Sequence, residues 1–182
     1  MHMMRTLIAI GALACLLAIG FRMTQAASTE AIVLQAPPAR LENPSALDEA
    51  AWAARLNDQA FAVLRKSATE KPFGNNFNDE HRPGVFYCAG CGQELFRSGQ
   101  KFDSGTGWPS FWNPAEKGAV EMREDRKWGI KRTEVHCSHC LGHLGHVFDD
   151  GPAPTGMRYC INGAAMCFLP SARGTAPSTP VK

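Results

Sequence analysis

The chain has 182 residues, 45% hydrophobic and 20% charged, enough for one domain with a core and too few for two large ones. Lys and Arg total 19 against 17 for Asp and Glu, and a net charge of +2 excludes a field strong enough to argue for nucleic acid or anionic membrane. Seven cysteines is an odd number, so a fully paired disulfide framework would leave at least one thiol over.

Residues 1–27 read as an address. Arg5 closes a short charged start, Leu7 to Phe21 is almost unbroken apolar sequence, and Thr24-Gln25-Ala26-Ala27 supplies small residues at a cleavage site. Export is expected, with a periplasmic destination, and an uncleaved membrane anchor is the alternative. Cys15 lies inside the apolar run, where it reads as a small hydrophobe. A mitochondrial transit peptide would be amphipathic and Arg-rich, and this segment is neither.

Residues 28–46, with Ala36-Pro37-Pro38-Ala39, read as an Ala/Pro-rich linker with little order. The domain itself is expected over residues 47–170. From Leu47 to Lys66, Trp52, Leu56, Phe61 and Leu64 recur at helical spacing, and Asn57 or Asp58 can cap a second helix. Beyond Pro72 the runs Val85-Phe86-Tyr87, Ala119-Val120-Glu121-Met122 and Arg158-Tyr159-Cys160-Ile161 stand between Gly, Pro, Asn and Asp clusters, the texture of an antiparallel, mainly β domain. Residues 171–182 read as a disordered tail.

Cys88-Ala89-Gly90-Cys91-Gly92 and Cys137-Ser138-His139-Cys140 are two C-x-x-C knuckles, each able to present two thiolates to one tetrahedral ion. Pairing within one chain favours structural zinc over two redox dithiols or two disulfides. With four sulfurs present, His136 and His139 read as exposed loop residues. A zinc-ribbon binding module is the competing function, although the Lys and Arg between the knuckles are balanced by Asp103, Glu116, Glu121, Glu124, Asp125 and Glu134 and leave no basic stripe. A third possibility is a thiol oxidoreductase acting on protein disulfides through its C-x-x-C pairs, which requires exchangeable knuckle thiols.

Neither of these accounts for the runs Lys101-Phe102-Asp103-Ser104-Gly105-Thr106-Gly107-Trp108-Pro109-Ser110-Phe111, His143-Leu144-Gly145-His146-Val147-Phe148-Asp149-Asp150-Gly151-Pro152 and Gly156-Met157-Arg158-Tyr159-Cys160-Ile161-Asn162. Taken with Arg132-Thr133-Glu134-Val135 and the knuckles, the chain resembles the B-type methionine sulfoxide reductases, enzymes specific for the R epimer, over about residues 50–170. The resemblance implies a β-tent of antiparallel sheets with short N-terminal helices, a structural zinc, and Cys160 as the nucleophile. It further implies that His143, His146, Asp150 and Asn162 line the polar side of the site, with Trp108, Thr106 and Phe148 at the substrate. Oxidised proteins or peptides would be the substrates and a thioredoxin-like or other thiol protein the reductant; separately, a monomer is expected.

Elementary chemistry speaks to the same residues. Cys160 follows Arg158 by two positions, so on a strand both side chains emerge on one face and the guanidinium should lower the thiol pKa. A buried, inert strand cysteine is the competing assignment. His146 and Asp150 are four apart, and in a tight turn the carboxylate could orient the imidazole. Asp103 and Ser104 should shape their loop, and Trp108 could equally be core.

Members of the resembled family often carry a second cysteine within the Asp-Ser-Gly-x-Gly-Trp run to resolve the sulfenic acid, and here that position is Thr106. If residues 160–167 were one strand, the sulfurs of Cys160 and Cys167 would lie ~23 Å apart on opposite faces, so a bridge would need a turn near Gly163.

Overall fold

The computed structural model describes residues 37–75, 77–127 and 129–171. The expectations for residues 1–27, for 28–36 and for 172–182 fall outside the described residues. Within them, no helix is long and apolar enough to cross a membrane.

Asp48 caps the helix α1 (Glu49–Arg55) by accepting from the Ala51 N–H at 2.8 Å, and Asn57 caps α2 (Asp58–Lys66) from Ala60 at 2.8 Å. The two helices bury Trp52, Val63 and Leu64, so the helical spacing in the sequence marked the face turned to the core. The linker is not loose where it is described. Pro44–Ala46 form a 3-10 turn, the Leu41 N–H donates to Cys91 O at 3.0 Å, and His139 Nε2 donates to Leu41 O at 2.6 Å. Residues 38–41 lie on the first knuckle because its backbone offers acceptors that composition alone does not reveal.

The rest is antiparallel sheet. Strands β1 (Gly84–Cys88), β2 (Glu94–Arg97) and β9 (Met166–Pro170) make a three-stranded sheet in the order β2-β1-β9. Strands β3 (Lys101–Phe102), β4 (Ser110–Phe111), β5 (Val120–Lys127), β6 (Ile130–Cys137), β7 (His143–Phe148) and β8 (Arg158–Ile161) make a six-stranded sheet, ordered β3-β4-β8-β7-β6-β5. Phe86, Phe96 and Phe168 from the first sheet meet Phe111 and Tyr159 from the second. Phe96 stacks on Phe111 at 4.3 Å between centroids, and Phe86 meets Phe111 edge-on at 5.0 Å. Each of these buried rings contributes about 1.5–3 kcal/mol.

Residues 160–167 are not one strand, and a turn near Gly163, the condition set for a bridge, is present. β8 ends at Ile161, a 3-10 turn takes Gly163–Ala165, and the chain re-enters as β9 in the other sheet. Cys167 is therefore buried opposite Tyr87 on β1, and Cys160 stays on the six-stranded sheet.

Candidate active site and metal centre

Cys88 and Cys91 sit between β1 and β2, Cys137 and Cys140 between β6 and β7, and all four are buried. Their sulfurs lie within 4.8 Å of one another, with Cys88 to Cys140 at 3.7 Å and Cys91 to Cys137 at 3.5 Å. These separations are far beyond a disulfide bond of about 2.05 Å. They match the ~3.8 Å between ligands of a tetrahedral ion with metal–sulfur bonds of about 2.3 Å. The thiols hydrogen-bond one another, so the Cys140 thiol is held well below its usual range while the protons stay pinned on Cys88 and Cys137, which are pushed up. A buried set of four sulfurs can ionise together only around a cation, and the donor set fits a closed, soft-ligand metal centre. The histidines beside it are not exposed loop residues. His136 is a buried residue of β6 that donates from Nδ1 to Leu141 O at 3.1 Å, and His139 binds the linker.

The second site lies on one face of the six-stranded sheet. Register sets Ser110 and His146 directly opposite Cys160, on β4 and β7, and Phe148 opposite Arg158. Opposed residues share a face, so Ser110, Cys160, His146, Phe148 and Arg158 project together while Tyr159 and Ile161 enter the core. Gly145 permits the close approach of β7 to β8, because a Cβ there would collide with the Cys160 carbonyl. Cys160 is half-buried, with the Thr106 hydroxyl 3.9 Å from its sulfur. Thr106 in turn bonds Ser104 at 2.8 Å, and Ser104 bonds Ser110 at 2.7 Å, a file of hydroxyls ending on the thiol.

The Cys160 thiol is pushed up, not down. Burial dominates, and the Thr106 hydroxyl, the Arg158 guanidinium and Ser110 recover only part of the shift. Arg158 is itself engaged: its Nε and Nη2 donate to Asp150 at 2.8 and 2.9 Å, and its guanidinium lies 4.3 Å over the Phe148 ring. This corrects the pairing of Asp150 with His146. The carboxylate at His146 Nε2 is Asp125, at 3.1 Å, and Asp125 also accepts from Arg132 at 2.9 Å. His143 is buried, with Nδ1 hydrogen-bonded to Glu134, and desolvation lowers its pKa. His136 Nε2 stands 3.1 Å from the other Glu134 oxygen, off the line of a hydrogen bond.

Asn162 is buried behind this face. Its amide donates to Leu144 O at 2.9 Å and its Oδ1 accepts from the Glu70 N–H at 2.9 Å. Trp108 is half-buried, its indole N–H donating to Glu70 O at 3.2 Å. Asp103 caps its own loop by accepting from Gly105 N at 2.9 Å.

Comparison with known proteins decides the lineage. The family model for the SelR domain matches residues 56–170. The chain belongs to the SelR domain family. It is similar to the peptide methionine sulfoxide reductase MsrB of Bradyrhizobium diazoefficiens, 53% identical over 122 residues, covering 67% of this chain and 88% of the relative. The MsrB of Leifsonia xyli subsp. xyli is 52% identical over 120 residues (65% and 86%), and that of Methanosarcina mazei 47% over 127 residues (70% and 91%).

Two residues of this SelR domain escaped the sequence. Asp125 sits in a run of surface charges on β5 and reaches His146 only through sheet register. Glu70 is a buried carboxylate that accepts from Gly163 N at 2.6 Å, Ala164 N at 2.9 Å and the Asn75 amide, raised in pKa because burial outweighs these bonds. A lone Glu before Lys-Pro carries no signal of that position.

Proposed function

We propose that the protein is a peptide-methionine (R)-S-oxide reductase that returns peptide-bound methionine sulfoxide to methionine. The observation that carries this is the half-buried Cys160 on a strand face that also presents His146 and Arg158, with the Thr106 hydroxyl of the adjoining loop 3.9 Å from its sulfur. In the first step the Cys160 thiol loses its proton and its sulfur bonds to the sulfoxide sulfur. The oxygen takes a proton and passes to the Cys160 sulfur as its bond to the methionine sulfur and the bond between the two sulfurs break, leaving methionine and a Cys160 sulfenic acid. His146, oriented by Asp125, takes the proton that the Cys160 thiol gives up and delivers it to the sulfoxide oxygen. Trp108 offers an apolar surface to the methyl group.

A second thiol then attacks the sulfenic sulfur, releasing water and leaving a mixed disulfide, which a further thiol reduces. Cys167, buried in the other sheet, supports an external thioredoxin-like donor over an internal resolver. The four knuckle cysteines would hold zinc, which would supply structure and no reactive position. The stretch between the knuckles, which a ribbon module would use as a binding loop, instead supplies β2 of one sheet and β3, β4, β5 and β6 of the other. Export directed by residues 1–27 would place this repair in the cell envelope, which the N-terminal sequence of the mature protein would test.

The decisive experiment supplies a chemical dithiol and separate R and S sulfoxide peptides. Turnover of R alone, lost in Cys160→Ser, is expected. Turnover retained by Cys160→Ser, or a preference for S, would overturn the assignment.

A further inference from the structure

Phe73 is held at two kinds of cost. It is the most exposed large hydrophobic residue among those described, at 72%, and its backbone takes φ 58, a region in which a bulky residue is an outlier. The Gly74 N–H donates to Lys71 O at 3.0 Å with Pro72 between them, so Phe73 fills the third position of a tight turn. There a positive φ calls for Gly or Asn. Among the described residues, the other two non-glycine residues with positive φ are accounted for locally: Ser67 ends α2, and Leu141 closes the second knuckle by donating to Cys137 O at 2.9 Å.

The turn is pinned to the site loop. The Phe73 N–H donates to Gly107 O at 2.7 Å, and Asn78 Nδ2 donates to the same carbonyl at 2.8 Å. The ring lies across Gly107, where a Cβ would stand 2.9 Å from Cδ2 and Cε2. Gly107 itself separates Thr106, whose hydroxyl is 3.9 Å from the Cys160 sulfur, from Trp108. An aromatic face thus stands in water one residue from both, in a conformation a smaller residue would adopt more readily. A strained outlier beside a reactive group points to function.

Resting on the reductase reading, we propose that the Phe73 ring is a specificity platform for an apolar side chain flanking the sulfoxide in a polypeptide substrate. It discriminates peptide-bound methionine sulfoxide from the free or capped amino acid, which has no flanking side chain to cover the ring. The occupant follows from continuity. Once the sulfoxide lies against Trp108 with its sulfur at Cys160, the adjoining residues of its chain pass over the Gly107 loop.

The test compares a short peptide with Leu on either side of a methionine-R-sulfoxide with N-acetyl-methionine-R-sulfoxide amide. Phe73→Asn should raise KM for the Leu-flanked peptide about five- to tenfold, as expected for leaving one apolar side chain uncovered, with kcat unchanged. KM for the capped amino acid should hold within about twofold, on the same area argument. Because Asn suits the turn, its Tm should equal or exceed that of wild type, which separates a binding role from a folding one. Phe73→Tyr should restore the peptide KM. An equal effect on both substrates, no effect on either, or failure of Tyr to rescue overturns the platform. A wild-type enzyme that reduces neither substrate removes the reductase reading, and the platform with it.

Discussion

Cys160 is pulled in opposite directions, and the outcome sets its chemistry. Burial outweighs the guanidinium, so at neutral pH the resting sulfur is a thiol that must lose its proton as the substrate engages. Alkylation of Cys160 by iodoacetamide should therefore climb with pH to a midpoint above the ordinary thiol value of 9.0. Arg158→Met removes a cation that favours the thiolate and should move that midpoint higher still, and Thr106→Val should do the same to a smaller degree. A midpoint below 9, or one indifferent to both changes, contradicts this balance. The two nearby carboxylates divide the other roles. Asp125→Asn should lower kcat by roughly tenfold to a hundredfold through loss of His146 orientation, the lower part of the usual range for acid–base groups. Asp150→Asn frees Arg158 and should lower kcat far less than Asp125→Asn; if the two variants behave alike, the register-based pairing is wrong. The sequence offered Asp150 because four residues of spacing are visible along a chain, whereas Asp125 lies two strands away and becomes a neighbour only when β5, β6 and β7 align.

At the scale of elements, local chemistry was largely legible and tertiary docking was not. The Asn57 cap, the face carrying Trp52 and Leu64, and the strand runs at 85–87 and 158–161 all follow from rules that act within a few residues. The segment 67–75 follows no such rule. It is shaped by Glu70, which ties it to the turn after β8 and brings Trp108 and Asn162 onto one residue. Glu70→Ala would leave two backbone N–H groups without acceptors and should cost about 2–3 kcal/mol. Glu70→Gln isolates the charge. With its folded pKa above the ordinary 4.5, the Glu70 carboxyl favours the folded state below that value, and this contribution is lost as pH rises through the folded pKa. The stability deficit of Glu70→Gln relative to wild type should therefore be largest in acid and shrink as pH rises above about 4.5, measured by urea midpoints. A deficit that grows with pH would mean that the hydrogen bonds to the ionised carboxylate outweigh its burial.

For the whole molecule, the four-cysteine centre is where the two sheets are fastened to each other. One knuckle leads from β1 into β2 in the three-stranded sheet, the other from β6 into β7 in the six-stranded sheet, and an ion shared by all four sulfurs would join them at one end. The aromatic cluster joins them elsewhere, through Phe96 on Phe111. Which of the two fastenings governs stability is a question of magnitude. Structural zinc contributes about 10–16 kcal/mol of apparent binding free energy in small zinc-finger peptides, comparable with the whole 5–15 kcal/mol that keeps a domain folded. The rings at the sheet interface cannot replace a loss of that size. Purified protein should hold about one zinc per chain, and stripping it with a chelator should lower Tm by about 10 °C or more, with far-ultraviolet dichroism and sulfoxide turnover lost together. Cys91→Ser should reproduce that loss, whereas Cys167→Ser, lying outside the centre, should leave metal content and dithiol-driven turnover near wild type. A chain that gives up its metal while Tm shifts by less than about 2 °C would assign the joint between the sheets to the aromatic cluster instead.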